Sequence, residues 1–219
     1  MGIKEKYQLQ TVPIAIGGHR LKVYQVKNWN MFADHLEQKG AAYIKEFPFW
    51  VKIWEASIVL AQHLIQIGLD KELTVLEIGA GMGIAGLFLA CHGHKVTITD
   101  YEEEALELLR MNAEMNGLND NVSINRLDWR NPDLAGQYDV ICGAELIYSE
   151  TSIKPVVDLF RRYLRPGGTV FLAHDVQRMC LVKFIGMVPG RFDIENVVKK
   201  FQGENKLRRI VIHTLRLRP

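Results

Sequence analysis

The sequence predicts an α/β fold: a Rossmann-like, doubly wound and mostly parallel sheet of seven strands, with helices on both faces. Short apolar or β-branched runs alternate with helical segments from residue 74 to residue 173, which is the pattern of repeated β-α-β units. A glycine-rich turn over residues 79–86 follows the first of these runs, as in open sheets that bind a nucleotide. Residues 192–217 instead predict two strands that close the sheet, at least one of them antiparallel.

The segment ahead of this alternating region predicts a β-hairpin and two helices. Runs of alternating apolar residues between positions 12 and 26 flank Gly17-Gly18, and a Gly-Gly pair supplies the positive φ angles of a tight hairpin turn. The polar stretch Met31–Lys39 predicts a helix. An aromatic segment, residues 47–54, then leads into a helix that is expected over residues 55–67 and ends before a glycine.

The alternating region divides into five strands and three helices. The strands are expected over Thr74–Ile78, Lys95–Thr99, Val122–Asn125, Tyr138–Ala144 and Thr169–Ala173, and the helices over Ile84–Cys91, Glu102–Asn116 and Thr151–Leu164. Pro166-Gly167-Gly168 predicts a turn before the fifth strand. Two more strands, Phe192–Lys200 and Arg208–Leu217, are expected on either side of a break at Gly203.

Composition predicts an ordinary globular protein without nucleic-acid binding. Of the 219 residues, 48% are hydrophobic, and 27 Lys or Arg against 25 Asp or Glu leave a net charge of only +2. The charge is uneven, because residues 183–219 hold nine Lys or Arg against three Asp or Glu. Such a strip is either a solvated face or a surface for an acidic partner. Residues 1–45 are expected to form an N-terminal extension and residues 46–219 one globular domain.

Cysteine usage and hydropathy predict the cellular compartment of the protein. The three cysteines are an odd number without CxxC spacing, as expected for reduced thiols inside a cell. The first residues lack the apolar stretch of a signal peptide, and no run of about 18 apolar residues could span a membrane. The seven histidines show no HExxH spacing. We therefore expect a cytoplasmic monomer that binds neither a membrane nor a metal ion.

The glycine-rich turn predicts a site for an adenosine-containing ligand. Glycines let the backbone approach a ligand, and the start of the following helix presents free N–H groups. Gly81, Gly83 and Gly86 match the GxGxxG of NAD-binding proteins, whereas Glu77 with the alternating glycines after it matches the ExGxGxG of methyltransferases. Asp100 ends the next strand, near the spacing at which a carboxylate binds ribose hydroxyls in either class.

Residues at the ends of two later strands distinguish between these motifs. Asp128 and Trp129 follow the third strand, where an Asp can accept a hydrogen bond from an exocyclic amine and an indole can cover a ring. Glu145 and Tyr148 follow the fourth strand. Because the carboxyl ends of parallel strands meet at one edge of the sheet, all four are expected beside the ligand. An NAD-dependent oxidoreductase would leave both pairs unexplained.

With these motifs the sequence resembles the class I, seven-β-strand S-adenosylmethionine-dependent methyltransferases and, among them, the family 16 protein-lysine methyltransferases. The resemblance covers most of the chain, from the hairpin through Trp54-Glu55-Ala56, ExGxGxG and Asp100 to Leu127-Asp128-Trp129 and a [D/E]xx[Y/F] motif. The glycine motif is common to class I enzymes, whereas Leu-Asp-Trp paired with [D/E]xx[Y/F] is more specific. Glu145 stands where many relatives carry Asp, and there is no Asn-Pro-Pro-Tyr. Its absence argues against methylation of glutamine amides or of adenine.

The resemblance implies that S-adenosyl-L-methionine is the cofactor and S-adenosyl-L-homocysteine its product. The residues implied to bind the cofactor are Trp54, Glu77, Gly79, Ala80, Gly81, Asp100, Tyr101, Asp128, Trp129 and Ala144. Within this set, Glu77 would orient the amino group directly or through water, and Asp100 would hold the ribose diol. Asp128 and Trp129 would bind the adenine.

The resemblance also implies an acceptor channel in which Glu145 and Tyr148 are the catalytic residues. Trp54 would flank the cofactor, and Ala144 would place backbone near the sulfonium. A lysine acceptor must arrive as the neutral amine, which desolvation in an aromatic channel favours. A carboxylate on its own favours the charged amine, so Glu145 is expected to bind and orient the acceptor and not to act as a base.

Three alternatives to a lysine of a protein substrate remain open from the sequence. A small-molecule N-methyltransferase, acting on an amine or a pyridine-like ring, would carry the same motifs with different pocket walls. An NAD-dependent oxidoreductase and a nucleotide-binding protein without activity belong to other classes. The basic strip at residues 183–219 favours a macromolecular partner.

Overall fold

The computed structural model describes residues 3–27, 48–178, 180–188, 190, 192–203 and 207–218. The strands are β1 Leu9–Ile16, β2 His19–Val26, β3 Val75–Glu77, β4 Val96–Asp100, β5 Val122–Arg126, β6 Tyr138–Ala144, β7 Leu164–Asp175, β8 Phe192–Gln202 and β9 Leu207–Leu217. The helices are α1 Ile3–Lys6, α2 Glu55–Gln66, α3 Ile84–Cys91, α4 Glu103–Met115, α5 Glu150–Tyr163 and α6 Cys180–Met187, with a 3₁₀ turn at Phe49–Val51. The helix predicted over Met31–Lys39 lies outside the described residues.

A seven-stranded sheet in the order β5-β4-β3-β6-β7-β9-β8 confirms the predicted fold class within the described chain. The strands from β3 to β7 pair in parallel, and β9 runs antiparallel to both β7 and β8. The strand order reverses beside β3 and β6, and ligands of doubly wound sheets bind at the carboxyl ends of the strands around such a point. The topology therefore places the glycine-rich turn and the end of β6 at one crevice.

Each face of the sheet buries its own hydrophobic cluster, because successive side chains of a strand point to opposite faces. One cluster joins the sheet to α2, α3, α4 and the N-terminal hairpin. The other joins it to α5 and α6. Neighbouring strand residues divide between the two, with Val75 in the first and Leu76 in the second. Both faces of the parallel sheet are thus covered, as such sheets require.

The N-terminal hairpin forms a separate two-stranded sheet, as predicted, and rests against α4. Leu21 and Val23 of β2 are buried in the first cluster. The backbone N–H of Tyr24 donates to Asn112 Oδ1 (2.7 Å), and the Asn116 side chain bonds both the N–H and the C=O of Lys22. The side-chain amides of Asn112 in α4 and of Asn116 just after it therefore satisfy backbone groups along an exposed strand edge, which would otherwise remain open for pairing.

The structure corrects one predicted boundary near the end of the chain and adds one helix. Strand β7 begins at Leu164 and runs through Pro166-Gly167-Gly168, where a turn was predicted, and its register against β6 shifts between Tyr138 and Val140. A Cβ on Gly168 would lie 2.8 Å from the Asp139 carbonyl oxygen, so the glycine permits a close strand approach. Helix α6 was not predicted, and it packs through Leu181 and Phe184.

Candidate active site

The glycine-rich turn joins β3 to α3 in a left-handed backbone conformation. Gly79, Gly81 and Gly83 have φ angles of 57°, 53° and 69°, which side-chain-bearing residues rarely adopt. A Cβ on Gly79 would lie 2.7 Å from Leu146 Cδ2 and 2.8 Å from Trp129 Cζ2. The turn therefore brings its bare backbone against the end of β6 and the indole that follows β5.

Two buried carboxylates accept hydrogen bonds from the backbone of this turn and of the helix that follows it. Glu77, only 1% exposed, accepts a hydrogen bond from the Gly86 N–H through Oε2 (2.8 Å), inside the first turn of α3. Burial raises the pKa of Glu77 to about 8. Asp100 accepts from the Gly81 N–H (2.7 Å) and the Glu102 N–H (3.0 Å), and burial raises its pKa as well. Both acids fix the backbone that a ligand would contact.

The ends of β4 and β5 bring an aspartate and an indole near the same turn. Asp128 accepts the Arg130 N–H through Oδ1 (2.9 Å) and so stabilises its own turn, while Trp129 lies half-buried against Gly79. Tyr101, 50% exposed, packs its ring beneath the Arg126 guanidinium at 4.6 Å. The described chain thus brings the residues predicted for the adenine and ribose to one edge of the sheet.

The end of β6 carries Ala144 and the two residues predicted to be catalytic. Glu145 has a φ of 56°, and among the described residues it is the only non-glycine with a positive φ. Its Oε2 accepts from Arg178 Nε (2.6 Å), and its Oε1 accepts from the Asp175 N–H (2.8 Å). Tyr148 is 56% exposed, and partial burial raises the pKa of its phenol.

Aromatic rings form a row beside these residues. Phe49 stacks on Tyr148 with ring centroids 6.2 Å apart and an interplanar angle of 18°, and its centroid lies 6.4 Å from that of Trp54. The Trp54 indole N–H donates to the Phe49 carbonyl oxygen (3.0 Å), so the 3₁₀ turn and the start of α2 hold each other. Trp50 is buried edge-on against Tyr7, with ring centroids 5.5 Å apart.

Three residues of this edge were missed by the sequence analysis. Arg178 binds Glu145, Phe49 stacks on Tyr148, and the buried His174 accepts the Ile147 N–H through Nε2 (3.3 Å). Arg178 and His174 lie at or just after the carboxyl end of β7, so extending the strand-end argument from β6 to β7 would have pointed to them. Phe49 belongs to the aromatic segment, but its sequence carries no signal for this stacking.

Comparison with known proteins identifies the family. A family model described as lysine methyltransferase matches residues 48–190, more than half of the chain. The chain belongs to the lysine methyltransferase family. This methyltransferase is 38% identical over 152 residues to protein N-lysine methyltransferase METTL21A of Danio rerio and 31% identical over 150 residues to that of Xenopus tropicalis. Each match covers 66% of this chain and 69% of the relative.

Solved structures confirm the fold of the methyltransferase. The N-methyltransferase NodS of Bradyrhizobium japonicum, crystallised with S-adenosylhomocysteine, superposes with a TM-score of 0.59 at 19% identity. The match covers 73% of this chain and 86% of NodS. Together with the family assignment, it confirms the predicted class I, S-adenosylmethionine-dependent methyltransferase.

The residues present fit S-adenosylmethionine. A backbone cradle at Gly79 and Gly81, a carboxylate at the end of β4 and an indole after β5 offer surfaces for the methionyl part, the ribose and the adenine, respectively. In the described part of the chain, no three His, Cys, Asp or Glu side chains are grouped so that they could hold a metal ion. None of the described helices combines the length and apolar character needed to cross a membrane.

Proposed function

We propose that this methyltransferase transfers the methyl group of S-adenosylmethionine to the side-chain amine of a lysine in a protein substrate. The observation that carries the proposal is the edge at the end of β6, where an aromatic row lies beside a carboxylate whose position is fixed by two hydrogen bonds. Rings can hold the aliphatic stem of a lysine, and a carboxylate can accept its N–H bonds. METTL21A, the relative, is named for lysine methylation.

In this proposal the cofactor-binding residues work as a scaffold. Gly79, Ala80 and Gly81 contact the methionyl and ribose portions, and Asp100 binds the ribose diol with the lone pairs that its two backbone bonds leave. Asp128 and Trp129 hold the adenine, and Tyr101 closes its outer side. Glu77 holds the start of α3 in place, because its buried carboxylate accepts a hydrogen bond from the Gly86 N–H.

The residues of the acceptor side position the amine and exclude water. When bound, S-adenosylmethionine supplies a methyl carbon that its sulfonium has already activated, so the protein needs no strong base. Trp54 and Tyr148 desolvate the lysine, which favours the neutral amine that can react. Glu145 accepts the remaining N–H bonds and aligns the nitrogen at about 3–3.5 Å from the carbon, the distance of a near-attack geometry. Ala144 contributes backbone near the sulfonium.

A basic edge beside the acceptor side supports a protein substrate. Asp175, the last residue of β7, pairs with Ile210, which pairs with Lys199. The tip of the β8–β9 hairpin therefore extends past the carboxyl end of β7, where it exposes Lys200 and Arg209. These two cations lie directly opposite each other. An acidic segment of the substrate near the target lysine would relieve their repulsion.

Labelling in a cell lysate tests the proposed function. The protein is incubated with tritium-labelled S-adenosylmethionine and lysate, and precipitated protein is separated from small molecules before mass spectrometry of the digested protein. We expect methyllysine in a protein band. Label confined to small molecules would favour a small-molecule N-methyltransferase, and methylhistidine would move the acceptor to another residue type. We propose that the enzyme acts in this way as a cytoplasmic monomer.

The role of Glu145 is tested in the same assay by Glu145→Gln. We expect at least about a tenfold loss of label, since an amide presents one acceptor oxygen where the carboxylate presents two. Glu150→Gln, at an exposed glutamate of α5, is the matched control. Affinity for S-adenosylhomocysteine should stay near that of the wild type in both variants. Transfer by Glu145→Gln at the wild-type rate would remove Glu145 from the acceptor site.

A further inference from the structure

The Glu145 carboxylate is held by its own protein before any substrate arrives. Arg178 Nε and the Asp175 N–H each donate to one of its oxygens, and its side chain is only 8% exposed. Its backbone N–H donates to the Ala173 carbonyl oxygen (2.9 Å). A φ of 56° is strained for a residue other than glycine and persists only where the surroundings impose it. The geometry is therefore imposed by contacts at the end of β7.

Arg178 joins this carboxylate to the aromatic row. Its guanidinium carbon lies 5.5 Å from the centre of the Trp54 ring, within the range of a cation–π contact, and its side chain is 32% exposed. A partly buried ion pair of this geometry is screened less by water than a surface pair. The guanidinium thus faces both the acid and the ring that are proposed to meet the lysine.

The other charged groups near Glu145 and Arg178 have groups of opposite charge beside them. Asp175 contacts Arg208 (3.3 Å), Arg208 lies 3.9 Å from Glu55, and Glu55 lies 3.7 Å from Lys52. On the side of Tyr148, Asp100 and Glu102 oppose Arg130 in their effect on the phenol. Burial, followed by the neighbouring His213 and then Arg178, lowers the pKa of His174 to about 3, so this histidine is neutral.

A lysine acceptor makes the charge of Glu145 a chemical problem. The amine nitrogen must be neutral to accept a methyl group, but an unpaired carboxylate within about 4–6 Å raises the pKa of an amine by one unit or more. We propose that Arg178 is a positioning residue that pairs with Glu145, so that the carboxylate orients the acceptor amine without keeping it protonated. This role of Arg178 rests on the proposed function.

The pH dependence of methyl transfer tests this role with Arg178→Met, which keeps the length of the side chain and removes its charge. The substrate is the lysate protein that the wild type labels, at saturating S-adenosylmethionine. Without the guanidinium, the acceptor pKa rises, and we expect a rate about tenfold below the wild type at pH 7.5. The deficit should narrow as the pH rises towards the acceptor pKa of the variant, because the neutral fraction of the amine then still increases in the variant while it levels off in the wild type.

Matched variants separate this role from a structural one. Arg178→Lys retains the charge and should keep the wild-type position of the pH profile at a lower rate. Glu145→Gln combined with Arg178→Met removes both charges and should return the profile to that position, although the rate stays low. Arg161→Met, on the solvent face of α5, controls for loss of a surface arginine.

The possible outcomes distinguish this role from the proposed function. If the wild type labels lysine and Arg178→Met shifts its profile as expected, both stand. If Arg178→Met lowers the rate equally at every pH, the role proposed for Arg178 is wrong while lysine methylation stands. The same conclusion follows if the variant raises the rate at pH 7.5, which would mean that Arg178 competes with the acceptor for Glu145. Absence of lysine labelling by the wild type would overturn the proposed function itself.

Discussion

At the scale of single residues, Glu77 shows how deeply a motif residue can be buried. The ExGxGxG motif begins with this acid, whose carboxylate contacts Gly86 inside α3 and not the surface of the turn. Its pKa of about 8 means that a proton is bound over much of the neutral pH range. A protonated carboxyl retains an oxygen that accepts the Gly86 N–H, so the helix start stays anchored while the charge is absent.

This shifted pKa predicts how the stability of the protein depends on pH. The pKa of Glu77 is about 8 when folded against an ordinary value of 4.5, so the native state binds more protons between these limits. The free energy of unfolding should then fall as the pH rises through this window, by at most about 1.4 kcal/mol per pH unit. Glu77→Gln keeps an acceptor oxygen and carries no charge, so it should lack this decline.

Thermal unfolding from pH 5 to pH 8.5 measures this effect. The difference in Tm between Glu77→Gln and the wild type should shift steadily in favour of the variant with rising pH. Glu114→Gln, at an exposed glutamate of α4, provides the control. A difference for Glu77→Gln that stays constant with pH would show that Glu77 is ionised throughout the window.

Which residues meet at the site was predictable only in part. Asp100, Asp128 and Glu145 could be assigned to one edge because each follows a parallel strand, and strands of known direction end together. Arg178 could have been placed near this edge by the same argument, but its contact with Glu145 could not be predicted, because it depends on how the chain turns after β7. The contact of Glu77 with Gly86 likewise depends on the angle at which α3 leaves the turn.

At the scale of elements, the strand–turn–helix unit from β3 to α3 leaves little room for added side-chain atoms. Gly79 combines a positive φ with a close approach to Leu146 and Trp129. Gly117, after α4, has a similar φ of 65°, but a Cβ there would meet nothing within 4 Å. The two glycines therefore separate the cost of backbone strain from the cost of crowding.

Substituting each glycine by alanine tests this distinction. Both variants pay for a left-handed alanine, but Gly79→Ala must also displace two side chains, which adds about 1–3 kcal/mol of destabilisation. We expect Gly79→Ala to be the less stable variant in urea unfolding and to bind S-adenosylhomocysteine at least about tenfold more weakly. Equal losses in the two variants would mean that only the φ angle matters at Gly79.

Elements with strong local patterns were predicted within a residue or two. Helix α3 was expected over Ile84–Cys91 and strand β6 over Tyr138–Ala144, and both are observed. The start of β7 was predicted too late, because Leu164 already pairs with Tyr138, and the register then shifts before Thr169 pairs with Val140. Helix α6 was missed because the burial of its apolar residues depends on the hydrophobic cluster that they join, which the local sequence does not show.

At the scale of the whole molecule, the excess of basic residues near the end of the sequence lies on the β8–β9 hairpin. At the far end of the β8–β9 hairpin, Arg216 and Arg218 pair with Glu195 and Asp193. At the tip, Lys200 opposes Arg209. The tip, which lies next to the carboxyl end of β7, thus carries like charges face to face, and an acidic partner would offset their repulsion.

Charge reversal at the tip tests whether it docks the substrate. Lys200→Glu combined with Arg209→Glu leaves like charges opposite each other, so stability should change little while the sign of the surface inverts. We expect labelling of the lysate protein to fall about tenfold or more at low salt, with unchanged binding of S-adenosylhomocysteine. Arg161→Glu with Arg162→Glu, near the opposite end of the sheet, should label normally. Equal labelling by both double variants would exclude the tip as a docking surface.

The sequence by itself determined the fold class, the glycine cradle and the acids at the strand ends, because these follow from periodicity and from the direction of parallel strands. Only the tertiary structure decided the partners: Glu145 with Arg178, Phe49 with Tyr148 and the β8–β9 hairpin with the carboxyl end of β7. These pairs join residues from separate segments of the chain. Their contacts depend on the angles between packed elements, and local patterns in the sequence do not encode these angles.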